Sequence, residues 1–351
     1  LIGSQSALSN RNLIINGAMQ VAQRGTSATV SDNSNEGYST LDRWPVNFNN
    51  SVGGGVTFSQ STDTPSGFAN SLKIQCSSTD SVGSTNEYVS VRQLIEAQNL
   101  QMLGYGTSAA KSMTLSWQMK ADNYTGPISV AFKTADGTAE YYVKSYTPTS
   151  SWATYTCTVP GSTSATINDD NGEGMRVSFV LAGHTGSSIA ASSDSTAWST
   201  TRADYRDNIG NLLSNTSNAI YIAGVQLEIG EQATPFEHRS FGDELLRCQR
   251  YFAELPSFSG PGTGTTDSRG MGSHVVQMRA APTLGTTGVL NITDGYSYDR
   301  VQSSASVALI ANSPDFSFFN MPNFSSITGG RIHFGPRDSS NTNRITLDAE
   351  L

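Results

Sequence analysis

The sequence predicts an all-β protein, a sandwich or jelly roll followed by a short helix and a second, smaller β-rich region. Two observations carry that expectation. Ser, Thr and Asn are abundant beside 33 glycines, while only 14% of the 351 residues are charged, a composition of short strands and polar turns rather than of helices. Period-two alternation of apolar and polar residues, the mark of half-buried strands, recurs along the chain. A length of 351 residues suggests about two domains, each able to bury a core of its own.

Residues 1–11 read as a linker. From Asn12 onward the alternating segments are 71–76, 88–94, 112–120, 128–133, 139–145, 152–159, 175–181 and 219–227. Gly, Asn and Asp turns separate them, the spacing of a sandwich or jelly roll. Trp117 shares a strand face with Met113, Leu115 and Met119, so it belongs in the core. The polar stretch 184–218 breaks the pattern, and a loop of that length is usually functional or mobile. Residues 240–252 read as a helix: Ser240 caps it with Asp243 at the third position, and Phe241, Leu245, Cys248 and Phe252 share one face. Pro256 ends that stretch. A Gly-rich run, 257–272, reads as an exposed loop, and strand-like segments follow at 274–278, 284–292, 305–310, 316–319, 331–334 and 344–347. The expected organisation is therefore a linker 1–11, a sandwich domain 12–238, a linking helix 239–255 and a distal β-rich domain 256–351.

The net charge of −8, with 21 basic residues that form no run, argues against nucleic-acid binding, which needs clustered Lys and Arg. No stretch approaches the roughly 18 apolar residues of a membrane span, so membrane insertion is not expected. No basic segment followed by an apolar one marks a secretory signal. The first residue is Leu rather than Met, so the chain is read as a piece of something longer. Cys76, Cys157 and Cys248 are odd in number and widely spaced, which fits buried free thiols better than a disulfide framework or a zinc site.

Two motifs are more specific than this background. One is Asn12-Leu13-Ile14-Ile15-Asn16-Gly17-Ala18-Met19-Gln20; the other runs Val225-Gln226-Leu227-Glu228-Ile229-Gly230-Glu231-Gln232-Ala233-Thr234-Pro235-Phe236-Glu237-His238-Arg239 and leads into the helix. Between them stand Leu41-Asp42-Arg43-Trp44, Ser71-Leu72-Lys73-Ile74, Thr114-Leu115-Ser116-Trp117, Ser151-Trp152-Ala153 and Ile220-Tyr221-Ile222-Ala223-Gly224. In that order, over residues 12–236, they resemble bacteriophage tail-fibre proteins built around a jelly roll like that of carbohydrate-binding modules of the family-4-and-9 type. The resemblance implies a jelly-roll β-sandwich, a linking helix and a second, smaller β-sandwich-like tip domain. It further implies a structural virion protein that assembles in the bacterial cytoplasm as a homotrimer and joins other tail proteins. Its expected ligand is host cell-surface polysaccharide or lipopolysaccharide. The alternatives are a head-fibre or capsid decoration protein and a carbohydrate-binding module of a secreted glycoside hydrolase.

Chemistry was sought along the chain. No nucleophile elbow, P-loop, His-Glu-x-x-His or dinucleotide fingerprint is present, and His184, His238, His274 and His333 lie in unrelated segments. Asp204 and Asp207 could form the carboxylate pair of a glycosidase, roughly 5 to 10 Å apart, only by accident of loop geometry, so no catalysis and no cofactor are expected. The resemblance implies a structural calcium held by acids in the opening motif and the closing strand, but Gln20 and Ala223-Gly224 stand there, so no metal is expected. The run Asn168-Asp169-Asp170-Asn171-Gly172-Glu173 reads as a turn. Aromatic rings are the remaining route to sugar recognition. Trp44 and Trp152 match recurrent tryptophans of the family and are read as core or half-core. The candidate ligand-binding residues are Trp198, Tyr205, Asp204 and Asp207 in the polar stretch, and Phe316 and Phe319 in the distal domain, where host recognition is expected. Tyr296, Tyr298, Phe318 and Phe324 are read as a mixture of core and contact residues.

Overall fold

A computed structural model describes residues 10–31, 37–50, 52–295, 299–335 and 343–351. The first nine residues of the expected linker, and Tyr296 and Tyr298, lie outside the described residues. The chain divides into two compact units, Leu1–Glu244 and Leu245–Leu351.

The first unit is a jelly-roll β-sandwich. In chain order its strands are β1 (Ser27–Ser31), β2 (Val46–Asn49), β3 (Gly55–Ser61), β4 (Ser71–Ser78), β5 (Tyr88–Glu96), β6 (Met113–Asp122), β7 (Ile128–Thr134), β8 (Tyr141–Tyr146), β9 (Ala153–Val159), β10 (Glu173–Gly183), β11 (Ala190–Ala191), β12 (Tyr205–Arg206) and β13 (Ala219–Ile229). They form an antiparallel six-stranded sheet ordered β1-β3-β4-β13-β6-β9 and an antiparallel five-stranded sheet ordered β2-β5-β10-β7-β8, with β11 and β12 a short parallel pair. The eight segments expected from alternation are all strands, their ends shifted by no more than two residues. β1, β2 and β3 were missed.

Alternation produces the core directly. Leu72, Ile74 and Cys76 of β4 and Met113, Leu115, Trp117 and Met119 of β6 point inward from one sheet, facing Val130 and Phe132 of β7 and Val177 and Phe179 of β10 from the other. Phe179 links the two layers, its ring 5.6 Å from Trp117 and 6.3 Å from Trp44. Trp44 is fully buried and Trp152 half-buried, as expected for core and half-core residues. All three cysteines are buried, and none of them is in a disulfide.

The opening and closing motifs turn out to be one structure. β4 pairs with β13 only over Ala219–Ile222. Beyond that point the opening motif takes over the same edge: Leu13 N–H donates to Leu227 O at 2.9 Å, Val225 N–H to Gly17 O at 2.9 Å, and Leu227 N–H to Asn12 Oδ1 at 3.0 Å. Asn16, in the left-handed region at φ 58°, is fully buried. Its amide donates to Val21 O and Asp42 O and accepts from Val21 N–H, and its own carbonyl accepts from the Trp44 indole at 3.1 Å. A Cβ at position 17 would sit 2.1 Å from Val225 O, so only Gly fits there. Arg239 donates to the carbonyls of Ile14 and Asn12 and pairs with Glu244, whose carboxylate accepts the Asn16 N–H.

The helix α1 (Phe241–Gln249) starts at Ser240, whose Oγ accepts the Asp243 N–H at 3.1 Å and donates to the Asp243 carboxylate at 2.7 Å. It is three residues shorter than expected. Of its expected buried face, Phe241 is exposed, Leu245 half-buried and Cys248 buried.

The second unit has a three-stranded sheet and a seven-stranded sheet around one core. Its strands are β14 (Phe252–Glu254), β15 (Phe258–Pro261), β16 (Ser268–Ser273), β17 (Thr283–Thr286), β18 (Asn291–Thr293), β19 (Asp299–Val301), β20 (Ala308–Asn312), β21 (Phe316–Met321), β22 (Ile332–Gly335) and β23 (Ile345–Asp348), ordered β14-β23-β17 and β19-β18-β22-β15-β16-β21-β20. The Gly-rich stretch expected as a loop contributes β15 and β16. Gly270 and Gly272 face inward because the Phe319 ring and the Leu255 side chain already fill that space, a Cβ at either position falling 2.4 Å and 2.6 Å from them. The expected strand 274–278 is instead an irregular segment, tied by His274 N–H to Asp315 O and by Met278 N–H to Pro314 O. The expected strand 284–292 is split between β17 and β18 in different sheets.

Replacing Asn16 with Ala leaves two carbonyls and one N–H buried without their partner, which should cost about 1–3 kcal/mol. Gly17→Ala should cost at least as much, by forcing β13 and the opening motif apart. Urea denaturation of each variant checks both.

Candidate functional site

The polar stretch after β10 is a strap laid over the outer face and free edge of the five-stranded sheet. Tyr205 anchors it: the side chain is 0% exposed, its ring lies 5.6 Å from Tyr88, and its hydroxyl donates to His184 O at 2.9 Å. Ile189, Ile209 and Val180 complete that small core. Further along, Ser199 and Tyr141 exchange main-chain hydrogen bonds at 2.8 and 3.1 Å, and Ser195 N–H donates to Val143 O at 2.8 Å, so the strap pairs with the edge of β8. Arg206 is buried, bonded to Asp194 at 2.7 Å.

This placement corrects most of the expected binding residues. Tyr205 is a core residue with no ring face for a sugar. Trp198 is half-buried, its indole donating to Pro160 O at 2.7 Å between the rings of Tyr105 and Tyr142, each 5.9 Å away. Asp207 accepts the Gly186 N–H and fastens the strap to itself. In the second unit Phe319 is 0% exposed against Phe258, whereas Phe316 is 40% exposed. Phe318 and Phe319 point to opposite faces, Phe318 lying outward with the Arg269 guanidinium 5.8 Å above its ring. Phe324 is buried.

Asp204 is different, because it forms the wall of a narrow crevice of about 20 Å³, room for about one water, between the strap and the sheet. The floor is a transverse row of directly paired residues, Tyr141 of β8, Lys133 of β7 and Arg176 of β10. Ser178 comes from the next row, and Tyr88 lies against the strap. Arg176 is held bidentately by Glu173, both bonds 2.9 Å, and Arg202 pairs with Asp204 at 2.6 Å. Three donors have no such partner: among the described residues the Lys133 ammonium and the Tyr88 and Tyr141 hydroxyls make no hydrogen bond or ion pair. Burial pushes Lys133 below the ordinary lysine range, and the Arg176 charge pushes the same way against the pull of Glu173 and Asp204. Burial, then Asp204, raises both phenols, so they keep their protons as donors. The sequence signal for this site was present but unused: Lys133 and Arg176 stand at outward positions of two apolar strands that become neighbours.

The carboxylates and histidines weighed for catalysis are, among the described residues, held by other partners. Asp204 and Asp207 are occupied by separate partners. Two Ser–His contacts exist in the second unit, Ser268–His333 at 3.2 Å and Ser317–His274 at 2.9 Å, but both hydroxyls are fully buried and the second nitrogen of His274 meets the Pro314 carbonyl rather than a carboxylate. At the expected calcium positions, the Met19 and Gln20 carbonyls accept from the Gln60 amide, and a Cβ on Gly224 would meet the Phe68 ring at 2.6 Å. In the loop before β10, Asp170 accepts the Gly172 N–H and Asp136 binds Asn168, the geometry of a turn. Among the described residues no group of three or more acidic, His or Cys side chains is placed to hold a metal ion.

No protein-family model matches the chain, and no curated protein matches it in sequence. Solved structures similar to the chain include CBM4 (17% identity, 61% of this chain and 98% of that one, TM-score 0.30). Another is the enzymatically active domain of tailspike protein 4 from bacteriophage CBA120 (13% identity, 62% of this chain, TM-score 0.32), of which only 21% is covered. A third is a putative sugar-binding protein from Bacteroides thetaiotaomicron (12% identity, 63% of this chain and 100% of that one, TM-score 0.33). Likeness at this level bears on neither ligand nor activity.

Burial pushes His274 and His333 below the ordinary histidine range, outweighing the Pro314 carbonyl for the first and Asp294 for the second. A depressed histidine binds fewer protons folded than unfolded, so its contribution is whole above the ordinary histidine pKa and is lost as pH falls through that value toward the folded one. Melting of the second unit should therefore move to lower temperature between about pH 7.5 and about pH 5. The double variant His274→Gln, His333→Gln should show a flatter profile over the same range.

Proposed function

We propose that the chain is a non-catalytic, carbohydrate-binding fibre protein of a phage virion, and that its first unit holds a sugar across the mouth of the crevice between the strap and the five-stranded sheet, one hydroxyl group entering it. The observation that carries the binding reading is the set of three unused donors, Lys133, Tyr88 and Tyr141, converging on a space walled by Asp204. Sugar hydroxyls both donate and accept, so a site offering phenol and ammonium donors beside a carboxylate acceptor suits them. The fibre role rests on the resemblance of residues 12–20 and 225–252. Host recognition thereby moves from the second unit to the first, since Phe319 is core and Phe316 shares its sheet face with the exposed apolar side chains Met271, Ile332 and Phe334.

That apolar face supports the homotrimer. Met271, Ile332 and Phe334, exposed by 59, 48 and 52%, lie on the outer surface of the seven-stranded sheet with Phe318 and Phe316. The neighbouring edge strand β20 is exposed, and no residue from Gln302 to Pro314 is charged. Edges are ordinarily protected by charge or by cover, and patches of this kind mark association surfaces. A second copy offers a matching apolar face and edge.

Titration of a panel of neutral and acidic oligosaccharides should find a ligand whose affinity drops tenfold or more in the double variant Tyr88→Phe, Tyr141→Phe, with melting temperature unchanged. Loss of no affinity would remove the cleft from the reading. Light scattering should give three times the 37.3 kDa chain mass, and the double variant Met271→Glu, Ile310→Lys should give the mass of one chain. A single-chain mass for the unaltered protein would sink the trimer.

A further inference from the structure

Four charges act on Lys133 from the elements packed around it: Arg176 and Glu173 of β10, and Arg202 and Asp204 of the strap. Each of the two cations is already paired with one of the two carboxylates, at 2.9 and 2.6 Å. Arg92 of β5 adds a further positive charge that acts on Tyr88. Among the described residues the crevice therefore carries a surplus of positive charge, and Lys133 is the cation with no carboxylate of its own. It stands directly opposite Arg176 in register, and like charges in that relation destabilise a sheet pair. A water can accept from the ammonium, but it brings no charge; a half-buried cation beside a like charge is stabilised by an opposite one.

We propose that the crevice holds a single halide ion, chloride under ordinary conditions, seated on the Lys133 ammonium in the space that the Tyr88 and Tyr141 side chains also line. Size decides the class. With room for about one water, the crevice excludes carboxylates, sulfate and phosphate, each of which brings several heavy atoms. A halide is one atom. It takes N–H and O–H donors from any direction and asks for no acceptor, which matches an ammonium beside two phenols that burial keeps protonated. Lys133 and Tyr141 are directly paired neighbours on the ladder, so two of these donors have a spacing set by the sheet. Asp204 walls the crevice, and its charge is taken up by Arg202 at 2.6 Å. This inference goes beyond the carbohydrate reading and does not need it. A sugar hydroxyl entering the crevice takes the place of the ion, so ion and sugar compete.

The test uses the whole chain crystallised in sodium bromide, where anomalous scattering tells the ion from a water. A bromide peak against Lys133 in the crevice is expected. None should appear there in Lys133→Met, which keeps the length of the side chain and removes its charge. In solution, melting is compared at constant ionic strength in sodium chloride, sodium bromide and sodium gluconate, whose anion is too large to enter. Once the halide stands tenfold above its Kd, its advantage over gluconate should be about 3 °C or more greater in the unaltered chain than in Lys133→Met. The variant cancels the general effect of each salt on stability. A water in place of bromide, a bromide peak that persists in Lys133→Met, or salt effects equal in the two proteins would overturn the inference. Peaks of the same height over exposed lysines elsewhere would mark an adventitious ion only and overturn it as well. Oligosaccharide titrations in chloride and in gluconate separate this inference from the carbohydrate reading. Weaker binding in chloride supports both on one crevice, whereas binding indifferent to chloride, with the bromide peak present, leaves the ion in place and moves the sugar elsewhere.

Discussion

The first unit depends on how one buried strand is completed. β13 lies in the middle of the six-stranded sheet, yet β4 pairs with only its first half. The second half would present unpaired main-chain groups to the interior, and each such group costs as much as a lost hydrogen bond. The opening motif removes that cost: Leu13, Asn12 and Gly17 bond Val225 and Leu227 along the vacant edge. Because they do so more than 200 residues later in the sequence, neither β13 nor the opening motif can settle before the whole sandwich has closed. The motif between Asn16 and Gly17 is then fixed by geometry, Asn supplying a left-handed residue with a bonding amide and Gly supplying the only side chain that fits under Val225 O.

The cleft inherits its rigidity from the same sheet logic. Tyr141, Lys133 and Arg176 sit on consecutive neighbouring strands, so their spacing is set by the ladder, not by loop conformation. The strap brings Asp204 to them, and its position is fixed by Tyr205 and Trp198 at two separate points and by main-chain pairing with β8. The polar stretch is thus a structured strap, not a loose loop. Its aromatic residues hold the strap in place, and the polar residues that it covers carry the donors.

What was legible in the sequence follows the physics of burial. Strands buried on one face, such as β4, β6 and β10, announce themselves by alternation, and Trp117, read as core with Met113, Leu115 and Met119, is buried with them. β16 was not legible, because its inward positions are Gly270 and Gly272 and the pattern shows nothing there; the apolar volume comes from Phe319 and Leu255, far away in sequence. β1, β2 and β3 escaped for a related reason, their alternation being diluted by Ser, Thr, Asn and Gly. Residue roles in the strap failed for a third reason. A Tyr in a polar sequence reads as exposed, but Tyr205 finds its apolar surroundings in Tyr88 and Val180, from strands more than 20 residues away. Lys133 stayed unnoticed because a single outward lysine on a strand has no meaning until the neighbouring strand is known to place Arg176 beside it.

The two units divide the surface chemistry in a way that sets how binding and assembly can combine. In the first, Arg176 and Arg206 are paired with carboxylates, while Lys133, Tyr88 and Tyr141 line one narrow crevice. The second unit holds its exposed apolar surface on one sheet face and one uncharged edge. Joining copies through that surface leaves each cleft on its own sandwich and tethers them together. Tethering raises the effective concentration of every further contact once the first is made, so overall affinity grows without any change in the site itself. On the proposed reading, the donors beside the strap would set which sugar is held, and the number of joined chains how strongly it is held.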